Sequence, residues 1–512
     1  MIEYAILAVI CVISYIMKIP YFNLPLDRDY GGHGYVAYSW LKGTGLMYRD
    51  IYESKTPGLK IIYMIIMKFM GISRKSFRQF FAFYNVLTTI TVYFLGTLLG
   101  GPVAGCIAAF LYALFSSLPS LWWHFSNMEA YYTLPMVLSF LCIVLGVQSQ
   151  GALAMTSIFL CGLFCGITFM FKQPSVINTT APIIISIPFL FKNAIVSTAA
   201  LYSAGYSIPV AVFFIYFMVI KKTPWKKMPF SKESMKLLTG YLKTPNSQAN
   251  KIASENSRRR FRIIFSDQLL LIAAGFGGVL YFSVSDSPYA LLLGAWIGFA
   301  YVAAVLSRTY IPYHYIPAVA PMCVAGSVLI YKLAEMLIFK GFINWNTGDC
   351  GAMAAIVTMF LYSVYQLVKD LLMGDEQLGV YYSGEDKMYA TCEEVGKMIK
   401  QTTAETDYVY SWGHQPEIYL WSERRAPVYC IYPPITNPVI FSKEHIAEEL
   451  EQLKANKPTY FVLTSDFGPF KEYEEFLIAH YQIVQKFEPF CYVFKLREQK
   501  VAAPAAGVKQ TI

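Results

Sequence analysis

The chain has 512 residues, 56% of them hydrophobic and only 15% charged, with a formal net charge of +9 and a mean hydropathy of +0.43. Soluble domains carry about 25% charged residues, so this balance excludes a soluble globular protein. The lack of short alternating segments excludes a membrane β-barrel. The positive charge is spread over loops, which suits anionic headgroups or phosphates and not nucleic acid.

In chain order, apolar runs long enough to span a bilayer fall at about 2–20, 78–99, 102–121, 131–148, 152–170, 173–191, 196–219, 263–283, 288–306, 315–338 and 351–371. These define a polytopic α-helical membrane protein of about 11 spans. The first run lacks a basic leader and an A-x-A site, so it reads as a retained helix and not a signal peptide. Residues 59–72 are apolar but short and carry Lys60 and Lys68, which reads as an interfacial helix. Gly100-Gly101-Pro102 and Gln148-Ser149-Gln150-Gly151 read as tight connections between antiparallel helices. Most Cys residues lie inside apolar runs (Cys11, Cys106, Cys142, Cys161, Cys165, Cys323), where they behave as small hydrophobes. No CxxC pair or Cys/His metal spacing occurs.

From residue 372 charged residues become frequent and no further run of span length occurs. Strand-like pieces at 407–412, 459–464 and 491–495 alternate with amphipathic stretches at 387–401 and 443–455. The chain therefore divides into a membrane domain (1–371), a small α/β domain (372–497) and a tail (498–512) whose composition predicts disorder.

Polar residues cluster where spans end. Asp27, Asp29 and His33 follow the first span in what reads as a loop. A carboxylate there can serve as a general base on a hydroxyl, and the plainer alternative is a solvated interfacial loop. Asp27-Arg28-Asp29 also has D-x-D form, but two carboxylates are a weak basis for a metal. Lys55-Thr56-Pro57-Gly58 offers a point charge for a phosphate on a stiff turn, or a snorkelling lysine. Glu129, after Trp122-Trp123-His124, is an acid at the mouth of a span, which costs energy unless it faces a cavity or partner. Lys172-Gln173-Pro174 and Arg308 to Pro317, with His314 and Tyr315, complete the set. The Arg308 stretch can grip a phosphate and a sugar ring or form an aromatic belt with a basic anchor.

With the N-terminus in the cytoplasm, the eleven-span count places Asp29, Lys55, Glu129, Lys172, Arg308 and His314 on the outer face. It also places residues 221–262 there, although that loop is basic and the positive-inside rule puts it in the cytoplasm. The convergence of acid and cations at one face suits transfer from a lipid-linked phosphate.

In the order and spacing of these motifs the chain resembles GT-C glycosyltransferases, specifically the bacterial family 39-like branch related to protein O-mannosyltransferases and to aminoarabinose transferases of lipid A. The resemblance rests on Arg28-Asp29-Tyr30-Gly31, Tyr48-Arg49-Asp50 with Lys55-Thr56-Pro57-Gly58, Asn127-Met128-Glu129, Lys172-Gln173 and His314-Tyr315-Ile316-Pro317. The departure is Tyr30, where the family pattern has Glu. The resemblance implies a membrane glycosyltransferase with a polyprenyl-phosphate sugar donor, a glycan, lipid or protein acceptor and an inverting displacement at the extracytoplasmic face of a bacterial plasma membrane. It implies Asp29 as the base, Lys55 and Arg308 on the phosphate, His314 on phosphate or sugar, and Glu129 orienting acceptor or sugar. Lys172 and Tyr315 fall in the same motifs. No metal or other cofactor is expected; Asp27 and Asp29 are the weak metal candidates. The competing reading is a transporter or flippase of lipid-linked sugars. Such a protein shows repeats, broken helices and midplane charges, whereas here the charges sit at span ends.

Overall fold

The computed structural model describes residues 2–125, 127–232, 248–306, 311–339, several positions between 361 and 373, 386–434 and 443–497. The chain forms two compact units, Met1–Lys387 and Met388–Ile512. The first is helical: α1 (Ile2–Ile16), α2 (Arg28–Lys42), α3 (Gly58–Met70), α4 (Arg74–Gly100), α5 (Pro102–Phe115), α6 (Met128–Gln148), α7 (Gly151–Phe169), α8 (Ala181–Leu190), α9 (Ile195–Phe214), α10 (Gln248–Val284), α11 (Ala290–Leu306) and α12 (Ile316–Phe339).

Among the described residues, seven helical segments are long and apolar enough to cross a membrane, and three shorter apolar helices (Pro102–Phe115, Val176–Leu190, Ala290–Leu306) accompany them. Ten of the eleven expected spans thus have a helical counterpart, and most of the eleventh, 351–371, lies outside the described residues, as do the middle of the basic loop 221–262 and the tail 498–512. Two expected spans are shorter than their apolar runs for local reasons. The segment from Pro102 leaves the α-helix at Ser116-Ser117, before Pro119. The segment after Lys172 opens on Pro174 and a π-helical turn, Val176–Thr180, before becoming α8; Pro174 lacks an N–H to donate, which favours a break at this point.

The polar stretch after the first span is a helix and not a loop. Asp27 is the N-cap of α2, its carboxylate accepting the Tyr30 N–H at 2.8 Å, as N-caps do. Gly31, Gly32 and Gly34 are poor helix formers, but all three are buried, and the helix is set by packing against α3. Buried cations tie the chain around it to the bundle. Arg78 of α4 donates to the Leu24 and Pro25 carbonyls. Lys18 donates to Ser116 O at 3.0 Å and Ser117 Oγ at 2.6 Å, with its ammonium 4.2 Å from the Trp123 ring centre.

The second unit contains α13 (Asp386–Thr402, beginning at the boundary), β1 (Val409–Trp412), α14 (Glu417–Ser422), α15 (Lys443–Asn456), β2 (Tyr460–Leu463), α16 (Lys471–His480), β3 (Tyr481–Phe487) and β4 (Cys491–Leu496). The sheet order is β1-β2-β4-β3, with β1 and β2 parallel and the other pairs antiparallel. Tyr410, Trp412, Phe461, Leu453 and Tyr473 fill one core, and Cys392, Val395, Ile418 and Val493 another.

Candidate active site

The expected site residues lie in the first unit, on α2, the segment before α3, the start of α6, the corner after α7 and the turn before α12. Glu129, Lys172 and His314 meet directly. Lys172 Nζ lies 2.5 Å from Glu129 Oε1 and 3.5 Å from His314 Nε2, and the imidazole lies 3.5 Å from the same carboxylate oxygen. Glu129 is 5% exposed, so its charge is balanced by these partners, as a buried acid requires. It stands in the first turn of α6, where the positive end of the helix favours an acid.

Lys55 stands beside this trio. The charges of Lys172, Glu53, Lys60 and Glu129 all act on it, and burial, together with Lys172, lowers its ammonium from the usual value near 10.5 to about 8. Its Nζ enters no ion pair among the described residues. The position of its backbone is over-determined. The Tyr48 hydroxyl donates to Lys55 O at 2.7 Å and the Lys55 N–H donates to Glu53 Oε1 at 2.8 Å. Tyr48 is fully buried at φ +68, an uncommon backbone conformation held by the surrounding packing.

Asp29 occupies the first turn of α2 and is partly exposed, in no ion pair among the described residues. It is within electrostatic range of His33, Lys60, Tyr313 and His314. Asp27 differs: its carboxylate is committed to capping α2, and burial and the adjacent Asp29 push it upward. A capping carboxylate of this kind is poorly disposed to hold a metal. Among the described residues, no group of three or more His, Cys, Asp or Glu side chains is arranged to hold one. Tyr315 is 1% exposed, with the rings of Phe261 and Tyr301 beside it. Arg308 lies outside the described residues.

A second polar group emerges that motif order does not display. Glu53 Oε2 forms an ion pair with Lys60 Nζ at 2.7 Å and lies 3.4 Å from His33 Nδ1. Lys60 is wholly buried, so it is an interior ion-pair partner and not the interfacial anchor its position in an apolar helix predicts. Despite burial, Lys60 and His33 hold the Glu53 carboxyl far below the usual range, while burial lowers both Lys60 and His33. The signal in the sequence is the charged pair spaced seven apart, Glu53 and Lys60, bracketing a Pro-Gly turn. Tyr30, the departure from the family pattern, is 1% exposed, stacks on Tyr63 (5.8 Å, 7°) and lies beneath the Arg78 guanidinium at 5.5 Å. An aromatic clamp joining α2, α3 and α4 stands where the resemblance leads one to expect an acid.

A polytopic helical unit with a small α/β unit is the GT-C type of membrane fold, and this chain is similar in fold to several solved structures. ArnT from Cupriavidus metallidurans bound to undecaprenyl phosphate superposes with a TM-score of 0.62 at 13% identity, over 96% of this chain and 97% of that one. The Archaeoglobus fulgidus oligosaccharyltransferase tethered with an acceptor peptide gives 0.57 at 13% identity, over 97% and 74%. The same organism's AglB, in complex with an inhibitory peptide and a dolichol-phosphate, gives 0.55 at 14%, over 98% and 75%. A family model described as "Putative competence-induced protein Ccs4 C-terminal domain" matches residues 390–496. No match is found among curated proteins.

Proposed function

We propose that this integral membrane protein transfers a hexosyl or pentosyl unit from a polyprenyl-phosphate donor to a hydroxyl of a glycan, lipid or protein, with inversion, at the extracytoplasmic face of a bacterial plasma membrane. The observation that carries the reading is the juxtaposition of an uncommitted carboxylate, Asp29, with the Lys55, Lys172 and His314 group. In the transfer step the acceptor O–H proton passes to the Asp29 carboxylate. The acceptor oxygen forms its bond to the anomeric carbon, and the bond from that carbon to the phosphate oxygen breaks with its electron pair leaving on the phosphate. Lys55 and Lys172 stabilise the charge that develops there, and Glu129 holds Lys172 and His314 in place. The fold shared with proteins crystallised with undecaprenyl phosphate and dolichol-phosphate supports a lipid-phosphate donor.

The test is Asp29→Asn, assayed in membranes for sugar transfer from a polyprenyl-phosphate donor. The substitution keeps size and helix packing, so insertion and yield are expected to persist while transfer falls about a hundredfold or more, the usual weight of a general base. Wild-type rates in the variant would remove Asp29 from the role.

A further inference from the structure

Lys172 of the trio and Lys55 beside it sit on segments far apart in sequence, yet the segments are bonded to each other. Gln173 Nε2 donates to Ser54 O at 2.8 Å, Thr56 Oγ1 donates to Phe169 O at 3.1 Å, and the Gly58 N–H donates to Met170 O at 2.6 Å. Lys55 lies inside the first strip of this seam and Lys172 inside the second. The approach is close enough to demand glycine at 58: a Cβ there would lie 2.7 Å from Met170 O and 2.9 Å from Phe171 Cγ. Two like charges are therefore held near each other by backbone and side-chain hydrogen bonds, with one carboxylate, Glu129, bonded to Lys172 and, among the described residues, none to Lys55.

We propose that the seam between residues 53–58 and 169–173 presets the spacing of Lys55 and Lys172 as a clamp for the donor's phosphodiester, with Gln173 and Gly58 as its positioning residues. The inference rests on the donor class proposed above and adds what fixes the cations before the donor arrives. Bringing two ammonium groups together costs electrostatic energy in the empty site, and an anion between them relieves it. A fixed fork meets the phosphate without the ordering cost that free lysines incur on binding. Seen this way, Lys-x-Pro-Gly and Lys-Gln are two halves of one device: each supplies a cation, and Gly58 and Gln173 supply the stitches.

The test uses the full-length protein with Gln173→Ala and Gly58→Ala. Gln173 is half-buried and its loss removes one stitch; the Gly58 variant wedges the seam open. The first readout is the pH midpoint for acylation of Lys55 by an amine-reactive ester, followed by peptide mass spectrometry. In the wild type the midpoint lies near 8 because burial and Lys172 depress it, with Lys60 adding to that and Glu53 and Glu129 opposing it. Moving Lys172 away raises the midpoint towards the ordinary lysine value in both variants; a mere loss of stability leaves it in place until the protein unfolds. The second readout is donor KM, expected to rise about tenfold or more with acceptor KM unchanged, in line with the steep cost of misplaced binding groups. An unmoved midpoint in both variants overturns the seam. A moved midpoint with unchanged donor KM means that the seam sets the lysines but that they do not hold the donor. If the wild type transfers no sugar from any polyprenyl-phosphate donor, the proposed function fails while the midpoint still decides the seam.

Discussion

Lys60 offers the sharpest test of the fold around the site. A lysine in a short apolar helix at the membrane boundary is expected to snorkel, and its replacement by Met would then change stability by less than about 1 kcal/mol, as for surface ion pairs. The structure places Lys60 Nζ 2.7 Å from Glu53 Oε2, with side chains 0% and 9% exposed. Breaking such a pair by removing one partner costs about 3–5 kcal/mol, because the remaining charge is stranded. At about 2.1 cal/mol/K of unfolding entropy per residue, a body of 387 residues has a slope near 0.8 kcal/mol/K, so Lys60→Met is expected to lower Tm by about 5 °C. Glu53→Gln alone should cost a similar amount by stranding the ammonium, whereas the double variant should lose much less than the sum, since the two changes remove both charges together. The loss in Lys60→Met should also depend on pH. Lys60 is one of the influences that lower His33; without it the imidazole takes up a proton more readily and partly neutralises Glu53, so the deficit is smaller at pH 5.5 than at pH 8. Thermal unfolding in detergent at both pH values measures all of this. A Lys60→Met protein as stable as the wild type, with additive effects in the double variant, would show that Lys60 is a solvated anchor and that the Glu53 cluster is misassigned.

Tyr30→Leu removes the stack on Tyr63 and the Arg78 contact and is expected to destabilise by about 1–3 kcal/mol, with faster amide exchange over residues 27–33 and reduced transfer; Tyr30→Phe keeps the rings and should behave as the wild type. In the second unit Glu449 is buried and accepts from the Tyr410 hydroxyl at 2.6 Å, and burial raises its carboxyl to about 8. A carboxyl raised on folding contributes stability that is complete below its unfolded value, near 4.5, and is lost as the pH rises through its folded value near 8. Protection factors of peptides from 443–497 in the intact protein, corrected for the base-catalysed rise of intrinsic exchange, should therefore fall between pH 5 and pH 8.5. Glu449→Gln should flatten that dependence, and an equal dependence in the variant would exclude Glu449 as its source.

What the sequence makes legible follows from where each interaction is encoded. Spans are encoded in local hydropathy, and the helices correspond to the apolar runs except where Ser116-Ser117 and Pro174 shorten them. In the second unit β1 and β2 are short, mostly apolar buried runs and β4 alternates, so all three are readable, whereas β3 is an edge strand following α16 without a loop; its residues 482–486 are exposed, so no buried face marks it. The start of α2 carries a capping aspartate, a legible signal, but three glycines within two turns mask the helix, and only packing against α3 restores it. The trio of Glu129, Lys172 and His314 is not encoded locally at all: the separations of 43 and 142 residues mean that motif order can name the members but bonding geometry alone joins them. Lys60 is misread for the converse reason, since its environment in sequence is apolar and its partner lies in irregular chain across a Pro-Gly turn. The same reasoning accounts for Tyr30. Compared only with the family pattern it is a missing acid, a loss of charge next to Asp29. In the fold it is the ring on which Arg78 and Tyr63 rest, so the turn that carries Asp29 is held by aromatic packing together with the capping Asp27 carboxylate.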